Sequence, residues 1–289
     1  MDSESLKIFC TVAAELSITQ AASVLGRAPS NVTTRVQQLE SDIGTELFVR
    51  TGKRIALSSA GERFLDYARR LLALEEEARH VVTGGVDGGA LRIGTMESTA
   101  ASRLLPVLAD YHTRHSNTRV DLITGPSRHL IEQVRTGAID CAFVAFPPST
   151  QDTPADPSIQ AQLIWPEELL LLLPTSDAGA RDPAEISSRS LAAFALGCTY
   201  RRVAEDVLNI PESTDWKIHV MSSYHAMVAC VAAGSCVTLL PESVLKLTAA
   251  PPALKTLHVG HADTYLIWRR GFDVPAFQNL RNRLSEERA

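Results

Sequence analysis

The residues whose types and spacing could do chemistry are concentrated between positions 27 and 35. This stretch carries arginine, hydroxyl and amide side chains and contains no acid. Such side chains can hydrogen-bond to phosphates and base edges without repelling a nucleic acid. The first hypothesis is therefore a DNA-contacting surface that consists of Arg27, Pro29, Ser30, Asn31, Thr33, Thr34 and Arg35.

Two short helices are predicted to position these side chains, one over residues 19–25 and a second that begins at about Ser30. Their buried positions would be Ala21, Ala22 and Leu25 on the first helix and Val32, Val36, Leu39 and Ile43 on the second. Because only the turn at residues 26–29 joins them, the two helices must cross steeply. The second helix is then held where it can enter a DNA major groove.

Flanking elements complete this predicted unit. A helix is expected over residues 3–15, Ser17 is a natural N-cap for the next helix, and Gly44 is a natural C-cap for the recognition helix. Two short strands, 47–50 and 54–57, would then form a hairpin with a basic tip. Such a wing would contact the DNA backbone or a minor groove through Arg50, Lys53 and Arg54.

The opening stretch resembles the LysR-type transcriptional regulators. The matching residues are Leu6-x-x-Phe9, Ser17-Ile18-Thr19-x-Ala21-Ala22-x-x-Leu25, Val32-Thr33-x-x-Val36-x-x-Leu39-Glu40, Gly44-x-x-Leu47-Phe48-x-Arg50 and Leu57-Ser58-x-Ala60-Gly61. The chain departs from the family at Leu16, where glycine is usual, and at Ala28-Pro29, which replaces a hydroxyl–glutamine pair. A glutamine there can read an adenine edge and Pro29 cannot, so no operator sequence is carried over from the family.

The resemblance implies an α/β protein with a winged helix-turn-helix, a long linker helix and a two-lobed, Rossmann-like effector domain. That domain is similar to periplasmic solute-binding proteins. The implied function is a transcriptional regulator whose operator binding or activation responds to a small-molecule effector. The resemblance also implies a homotetramer, as a dimer of dimers, with RNA polymerase as a further candidate partner. No catalytic residue, cofactor or metal is expected.

A long helix is predicted over residues 60–83, with Ser59 as its N-cap. Its apolar residues recur every three or four positions, at the spacing of a coiled coil. At 1.5 Å per residue the helix would be about 36 Å long, and the preceding domain is too small to cover its apolar stripe. A partner helix is therefore expected, in preference to packing on its own domain. The stripe consists of Phe64, Ala68, Leu71, Leu74 and Ala78.

Glycines at both ends of residues 84–89 predict a flexible hinge, after which strands alternate with helices and favour a parallel sheet. Expected strands include 168–173, 193–196 and 264–269, and a helix over 98–115 should break near Pro106. The predicted domains are 1–58 for DNA binding, 59–83 for the linker helix, 84–90 for the hinge and 91–289 for effector binding. Lobe I would contain 91–162 and 262–289, and lobe II would contain 163–261.

Polar residues that follow the expected strands at 91–94, 119–123 and 193–196 should meet in the crevice at the carboxyl ends of the strands. Hydroxyl and main-chain N–H groups there would hold an anionic or carboxylate-bearing effector, and Arg201 could pair with its carboxylate. Helix capping is an equally strong interpretation of Ser98, and Cys198 is interpreted as a pocket or packing residue in preference to a redox sensor. The candidate effector-binding residues are Thr95, Glu97, Ser98, Thr99, Thr124, Gly125, Phe146, Cys198, Tyr200, Arg201 and Ser222.

Composition indicates an ordinary globular protein, with 45% hydrophobic and 21% charged residues. No apolar run reaches the roughly 18 residues of a membrane span, and the acidic N-terminus does not resemble a secretory signal, so the cytoplasm is expected. A net charge of −5 opposes DNA binding. The segment from Arg50 to Arg54 is basic, however, and a dimer would double its charge. The cysteines lack a C-x-x-C pair, which disfavours a zinc site.

Two other classes of function stay open at this stage. A stand-alone solute-binding protein would explain the two lobes but would not need a winged helix. An α/β enzyme would need an activated nucleophile, and the nucleophile-elbow motif is absent because Gly125-Pro126-Ser127 continues into Arg128. Retention on DNA that weakens with salt would separate a regulator from both alternatives.

Overall fold

The computed structural model of the protein describes residues 1–51, 54–83, 89–146, 156–247 and 254–286. Contacts divide the chain into an N-terminal unit, Met1–Gly84, and a C-terminal unit that contains Gly85–Arg135 and Ile139–Ala289. Lys53 of the predicted wing and residues 84–88 of the predicted hinge lie outside the described residues. Within the described ranges, no helix combines the length and the apolar character needed to cross a membrane.

The N-terminal unit has the predicted order of elements. They are α1 (Ser3–Glu15), α2 (Ile18–Leu25), α3 (Pro29–Ile43), β1 (Phe48–Thr51), β2 (Arg54–Leu57) and α4 (Ser59–Thr83). The Ser17 hydroxyl accepts a hydrogen bond from the N–H of Gln20, and Gly44 ends α3 with φ 80°, as expected. The predicted cap of α4 was wrong by one position. The hydroxyl of Ser58, and not of Ser59, accepts from the N–H of Gly61 at 2.9 Å.

Phe9 lies at the centre of the core of this unit and is fully buried. Its ring centroid lies 5.3 Å from that of Phe48 on β1 and 5.2 Å from that of Phe64 on α4. Ala68, one turn after Phe64, belongs to the same core. The first turns of α4 therefore pack on the helix-turn-helix and wing, and they are part of this domain.

The C-terminal unit is built on a single eight-stranded sheet with the order β4-β3-β5-β10-β6-β9-β7-β8. Its strands are β3 (Ala90–Thr95), β4 (Arg119–Thr124), β5 (Cys141–Phe146), β6 (Ile159–Leu173), β7 (Ser190–Ala193), β8 (Lys217–Val220), β9 (Val237–Pro241) and β10 (Lys255–Arg269). Its helices are α5 (Glu97–Ser102), α6 (Leu104–Arg114), α7 (Ser127–Thr136), α8 (Thr199–Val207), α9 (Tyr224–Ala232), α10 (Glu242–Leu245) and α11 (Pro275–Glu286).

The sheet is mixed, which corrects the prediction of a parallel sheet. β3 pairs in parallel with β4 and β5, and β7 pairs in parallel with β8 and β9. The two 15-residue strands β6 and β10 are antiparallel to each other and to β9 and β5, respectively. They run through both lobes, so the strands expected at 168–173 and 264–269 are only the ends of longer ones.

Two further boundaries differ from the sequence-based expectation. The helix after β3 breaks at Arg103 and not at Pro106, since the backbone of Arg103 leaves the helical region with φ −122°. The Nε of Arg103 donates to the buried carboxylate of Glu167 at 2.7 Å. Pro106 lies in the first turn of α6, where the missing N–H has no partner to lose. The strand expected at 193–196 is β7, which ends at Ala193.

Candidate functional site

The turn between α2 and α3 presents the candidate DNA-contacting residues at the surface of the N-terminal unit. Gly26 ends α2 in the left-handed region with φ 63°, and Pro29 occupies the first turn of α3. Arg27, Pro29, Ser30, Asn31 and Thr34 are exposed, and Thr33 and Arg35 are half-buried. All the predicted residues of α3 are thus at least partly accessible.

Hydrogen bonds within α3 restrict what its threonines can offer a ligand. The hydroxyls of Thr33 and Thr34 donate to the main-chain oxygens of Pro29 and Ser30, each at 3.0 Å. While these bonds hold, neither hydroxyl can donate a hydrogen bond to a ligand. The two oxygens can only accept hydrogen bonds, from a base or from another donor. Gln37 is exposed three residues after Thr34 and lies on the same face, so helical spacing alone could have added it to the candidate set.

Acids at the start of α1 contact the two candidate arginines. A guanidinium nitrogen of Arg27 pairs with Glu4. The Nη1 of Arg35 lies 3.6 Å from the Oδ2 of Asp2, and its Nη2 lies 4.0 Å from the Oε2 of Glu4. These pairs leave no local signal in the sequence, because Asp2 and Glu4 are separated from the arginines by more than twenty residues. In the free protein both cations are therefore neutralised by the chain's own acids.

Glu40 connects the recognition helix to the wing. Its Oε1 accepts hydrogen bonds from the main-chain N–H groups of Leu47 at 2.8 Å and Phe48 at 3.0 Å. A carboxylate that satisfies two main-chain donors fixes the start of β1 against α3. The backbone of Arg50 and Arg54 lies in the wing strands β1 and β2.

A cavity of about 200 Å³ lies in the C-terminal unit and is called the cleft cavity below. The residues that line it follow the carboxyl ends of β3, β4, β7 and β8, so both lobes contribute to it. They are Met96, Glu97, Ser98, Thr124, Gly125, Pro126, Ser127, Phe194, Ala195, Cys198, Tyr200, Ser222 and Tyr224. This position is where α/β folds commonly bind ligands.

Two buried hydroxyls in the cleft cavity lack hydrogen-bond partners. Ser98 is 2% exposed and Tyr200 is 3% exposed. The hydroxyls of Ser98 and Thr264 lie next to that of Tyr200, yet among the described residues neither the Ser98 nor the Tyr200 oxygen makes a hydrogen bond of acceptable geometry. Burial raises the pKa of Tyr200 above its usual range, so its hydroxyl stays protonated and can donate. Buried polar groups normally find partners, and a ligand acceptor would supply one here.

The structure brings seven of the predicted effector residues to this cavity and places four elsewhere. The seven are Glu97, Ser98, Thr124, Gly125, Cys198, Tyr200 and Ser222. Thr95, Thr99 and Phe146 are not among the lining residues; the Thr95 hydroxyl donates to Met96 O at 3.1 Å, and the Phe146 ring packs on Tyr265 at 5.5 Å. Arg201 is also absent, since its Nε donates to Glu205 at 2.7 Å and its Nη1 to Phe194 O at 3.2 Å.

Cys198 lines the cleft cavity as a half-buried free thiol. Burial raises its pKa above the usual range, against the opposing effect of the N–H groups of Arg201 and Tyr200 and the charge of Arg201. Reactive and redox-sensing cysteines have lowered pKa values, because the thiolate is the nucleophile. The environment of Cys198 therefore favours a role in lining the pocket.

The predicted dimerisation stripe on α4 divides into two parts. Phe64 and Ala68 are packed in the core of the N-terminal unit, so their side chains are already used within the chain. Leu71 and Leu74 are 43% and 60% exposed, and Ala78 is exposed as well. Tyr67, at 61% exposure, extends the same face and was missed because its hydroxyl obscures the apolar pattern.

Two family models match the chain in succession along its length. The model described as "Bacterial regulatory helix-turn-helix protein, lysR family" matches residues 3–62. The model described as "LysR substrate binding domain" matches residues 84–289, which is more than half of the chain. The chain belongs to the LysR family of transcriptional regulators.

Curated relatives support this LysR-family membership over most of the chain. The HTH-type transcriptional regulator GltR of Bacillus subtilis is 32% identical over 246 residues, which cover 85% of this chain and 81% of GltR. The regulator YofA of the same species is 30% identical over 297 residues, which cover 99% of each chain.

Solved structures share the fold of this LysR-family chain. A full-length OxyR variant from Pseudomonas aeruginosa has a TM-score of 0.70 at 20% identity, covering 98% of this chain and 94% of that one. Full-length CbnR in complex with its target DNA has a TM-score of 0.66 at 23% identity and covers 99% of each chain. The protein is thus a DNA-binding transcriptional regulator with an effector-binding domain, and its relatives are regulators and not enzymes.

Proposed function

We propose that this regulator binds a small carboxylate-bearing effector in the cleft cavity and reads its operator with the exposed face of α3. The observation that carries the effector site is the pair of buried, unpartnered hydroxyls of Ser98 and Tyr200. Both can donate to a carboxylate or carbonyl oxygen. The cavity volume of about 200 Å³ lies below the roughly 300–1,000 Å³ typical of drug-sized ligands, which favours a small metabolite.

In this proposal, effector binding alters DNA binding by changing the arrangement of subunits in the assembly. The cavity is lined by residues of both lobes, so a ligand that binds one lobe arrangement better shifts the population toward it. A dimer of dimers, held together in part by the exposed face of α4, would convert that shift into a new spacing of recognition helices and a new DNA bend. RNA polymerase is a further candidate partner, and the cytoplasm is the compartment where such a regulator would act.

Operator binding is tested with Arg35→Ala and Thr33→Ala, and with Arg202→Ala as a control that removes an exposed arginine from the C-terminal unit. If Arg35 reads a base, its loss should cost about 1–3 kcal/mol of binding free energy. If it contacts a phosphate, the salt dependence should fall by about one unit of slope. DNA affinity is measured by fluorescence anisotropy on operator DNA. If the affinity and its salt dependence are unchanged in both α3 variants, α3 does not contact the operator.

The effector site is tested by screening small carboxylates and amino acids for thermal stabilisation of the full-length protein, followed by calorimetry. Ser98→Val should retain operator binding and lose roughly 0.5–1.5 kcal/mol of ligand affinity, because the hydroxyl donor is replaced by methyl groups and one hydrogen bond is removed. Thr113→Val, an equivalent change on the exposed surface of α6, should have no effect. Ligands that bind both variants as tightly as the wild type would place the effector site elsewhere.

A further inference from the structure

A second cavity of about 250 Å³ adjoins the cleft cavity and is called the apolar cavity below. Glu97 and Tyr224 line both cavities, so these two residues form the wall between them. The remaining residues come from α5, α9, β9 and α10 and the positions next to them. They are Ala101, Ser223, His225, Val228, Ala229, Ala232, Leu240, Val244, Leu245 and Leu247.

The chemistry of the apolar cavity is different from that of the cleft cavity. Its walls are mostly alanine, valine and leucine side chains, whereas the cleft cavity is rich in hydroxyl groups. Apolar surface that stays accessible in a concave site favours an apolar group of a ligand, since burying it is worth roughly 25 cal/mol per Å². A ligand that spans the shared wall would therefore be polar at one end and hydrocarbon-like at the other.

Glu97 places a negative charge at the boundary of the two cavities. Its side chain is exposed, and among the described residues it has no hydrogen-bond or ion-pair partner. Apart from the imidazole of His225 at the edge of the apolar cavity, neither set of lining residues contains a basic side chain. The charge that complements this boundary is a cation, and an ammonium group also supplies hydrogen-bond donors to the carboxylate.

We propose that the effector is a zwitterion with an apolar side chain, of the kind represented by the apolar α-amino acids. Its carboxylate accepts hydrogen bonds from Ser98 and Tyr200, its ammonium group pairs with Glu97, and its side chain enters the apolar cavity. This inference rests on the proposed function of the cleft cavity as the effector site. It adds the positive charge and the hydrocarbon group, neither of which follows from the two hydroxyls alone.

The first test compares ligands that differ by one group, using calorimetry on the full-length protein. L-leucine, L-methionine and L-phenylalanine are the amino acids; 4-methylpentanoate lacks the ammonium of leucine, and 3-methylbutylamine lacks its carboxylate. At least one apolar amino acid should bind roughly tenfold or more tightly than glycine, because glycine has no side chain to bury. Leucine should bind roughly tenfold or more tightly than its two single-charge analogues, because each of them lacks one charge-assisted bond. Failure of all three amino acids to bind would overturn the inference.

The second test uses variants of the protein against the same ligands. Glu97→Gln should weaken the amino acid by about tenfold and leave the ammonium-free analogue unchanged, which isolates the pairing in a double-mutant comparison. Ala229→Phe, at an exposed residue that lines the apolar cavity, should weaken the larger amino acids and spare glycine. Ala226→Phe adds the same ring to an exposed residue of α9 outside both cavities and should change nothing.

The outcomes separate this inference from the proposed function. If a simple carboxylate binds as tightly as the amino acid and depends on Ser98 but not on Glu97, the cleft cavity is the effector site and the zwitterion is wrong. If Ala229→Phe and Ala226→Phe act alike, the side chain does not enter the apolar cavity. If the amino acid binds and neither Ser98→Val nor Glu97→Gln alters its affinity, both proposals fail.

Discussion

At Leu16 the backbone takes the left-handed conformation that ends α1, with φ 47° and ψ 31°. A residue with a Cβ is strained there, and glycine is not, which gives a physical reason for the glycine usual in the LysR family. Because the Leu16 side chain is 51% exposed, little burial is lost on removing it. Leu16→Gly should therefore stabilise the N-terminal unit by about 1 kcal/mol.

This gain should appear in calorimetry of the full-length protein as a rise of roughly 4–8 °C in the unfolding transition of the N-terminal unit. Leu16→Ala is the matched control, since it removes the same side chain and keeps the strained Cβ, and it should give no comparable rise. A glycine variant that unfolds at or below the temperature of the alanine variant would show that the conformation carries no strain.

Glu4 is expected to compete with DNA for Arg27 and Arg35. The pairs are surface pairs, so each is worth roughly 0.2–1 kcal/mol, and Glu4→Gln should raise DNA affinity by no more than a few-fold. The affinity should increase because the DNA phosphates compete with one acid fewer for the two arginines. The increase should be largest at low salt, where these charges are screened least. Glu15→Gln removes the same charge from the exposed end of α1, where no arginine pairs with it in the described part of the chain. Equal increases in DNA affinity for the two variants would show that the change in net charge alone explains the effect.

The thiol of Cys198 should react slowly near neutral pH. Its pKa is raised by burial, so the protonated form is favoured and the thiolate appears only above the usual thiol range. The rate of alkylation by iodoacetamide, located by mass spectrometry, should therefore stay low at pH 7 and rise at a higher pH than in the unfolded chain. Rapid alkylation of the folded protein at pH 7 would restore redox sensing as an interpretation.

At the scale of elements, the sequence predicts those helices and strands whose bounds follow from the local spacing of apolar residues. α1 matches its expected bounds, and the wing hairpin was expected because two short, mostly apolar stretches flank a Gly-containing turn. β6 was only half recognised, since Pro166, Glu167 and Glu168 interrupt its apolar pattern. Pairing with β10 along its length holds it as one strand. Long-range pairing of this kind leaves no local signal.

In the candidate site, too, positions that follow from the local sequence pattern were predicted, and positions that depend on tertiary packing were not. Residues that directly follow β3 and β4 were predicted correctly as cavity-lining, because strand ends are visible in the apolar pattern. Arg201 was assigned to the ligand on charge alone, and its pairing with Glu205 one turn later is an i,i+4 contact that helical spacing permits. Tyr224 reaches both cavities only through the packing of α9, which no spacing rule predicts.

Gly61 allows α4 to approach β1 closely. A Cβ at this position would lie 2.0 Å from the main-chain oxygen of Leu47, and backbone cannot move aside as a flexible side chain can. Gly61→Ala should destabilise the N-terminal unit by several kcal/mol and abolish DNA binding, in the range of severe core changes. Gly179→Ala is the control, since nothing lies within 4 Å of a Cβ there. Calorimetry that shows similar small losses for both variants would contradict this packing.

At the scale of the whole molecule, the charge of the chain leads us to expect that the proposed assembly contributes to DNA binding. The chain carries a net charge of −5, and its own acids neutralise two of its candidate DNA-contacting arginines. A single N-terminal unit therefore offers weak electrostatic attraction for a phosphate backbone. Linking two such units makes the second contact intramolecular and raises its effective concentration. We therefore expect the proposed oligomer to be a requirement for affinity as well as for regulation.

Leu71 is the residue at which this requirement can be tested. It lies on the exposed face of α4 with Tyr67, Leu74 and Ala78, whereas Ala68 and Leu72 of the same helix pack on the N-terminal core. Leu71→Arg should leave the fold intact, because the side chain is already 43% exposed in the single chain. In an oligomer it would bring an unpaired charge into an apolar seam, a change that costs several kcal/mol when the charge is buried.

Sedimentation velocity of Leu71→Arg should therefore show smaller species than the wild type at the same protein concentration. DNA affinity should fall with it, and the loss should shrink as protein concentration rises and restores the assembly by mass action. Glu76→Arg, an exposed charge reversal on another face of α4, should keep the oligomer. A full-size oligomer for Leu71→Arg would show that the exposed face of α4 is not the seam and that other surfaces hold the subunits together.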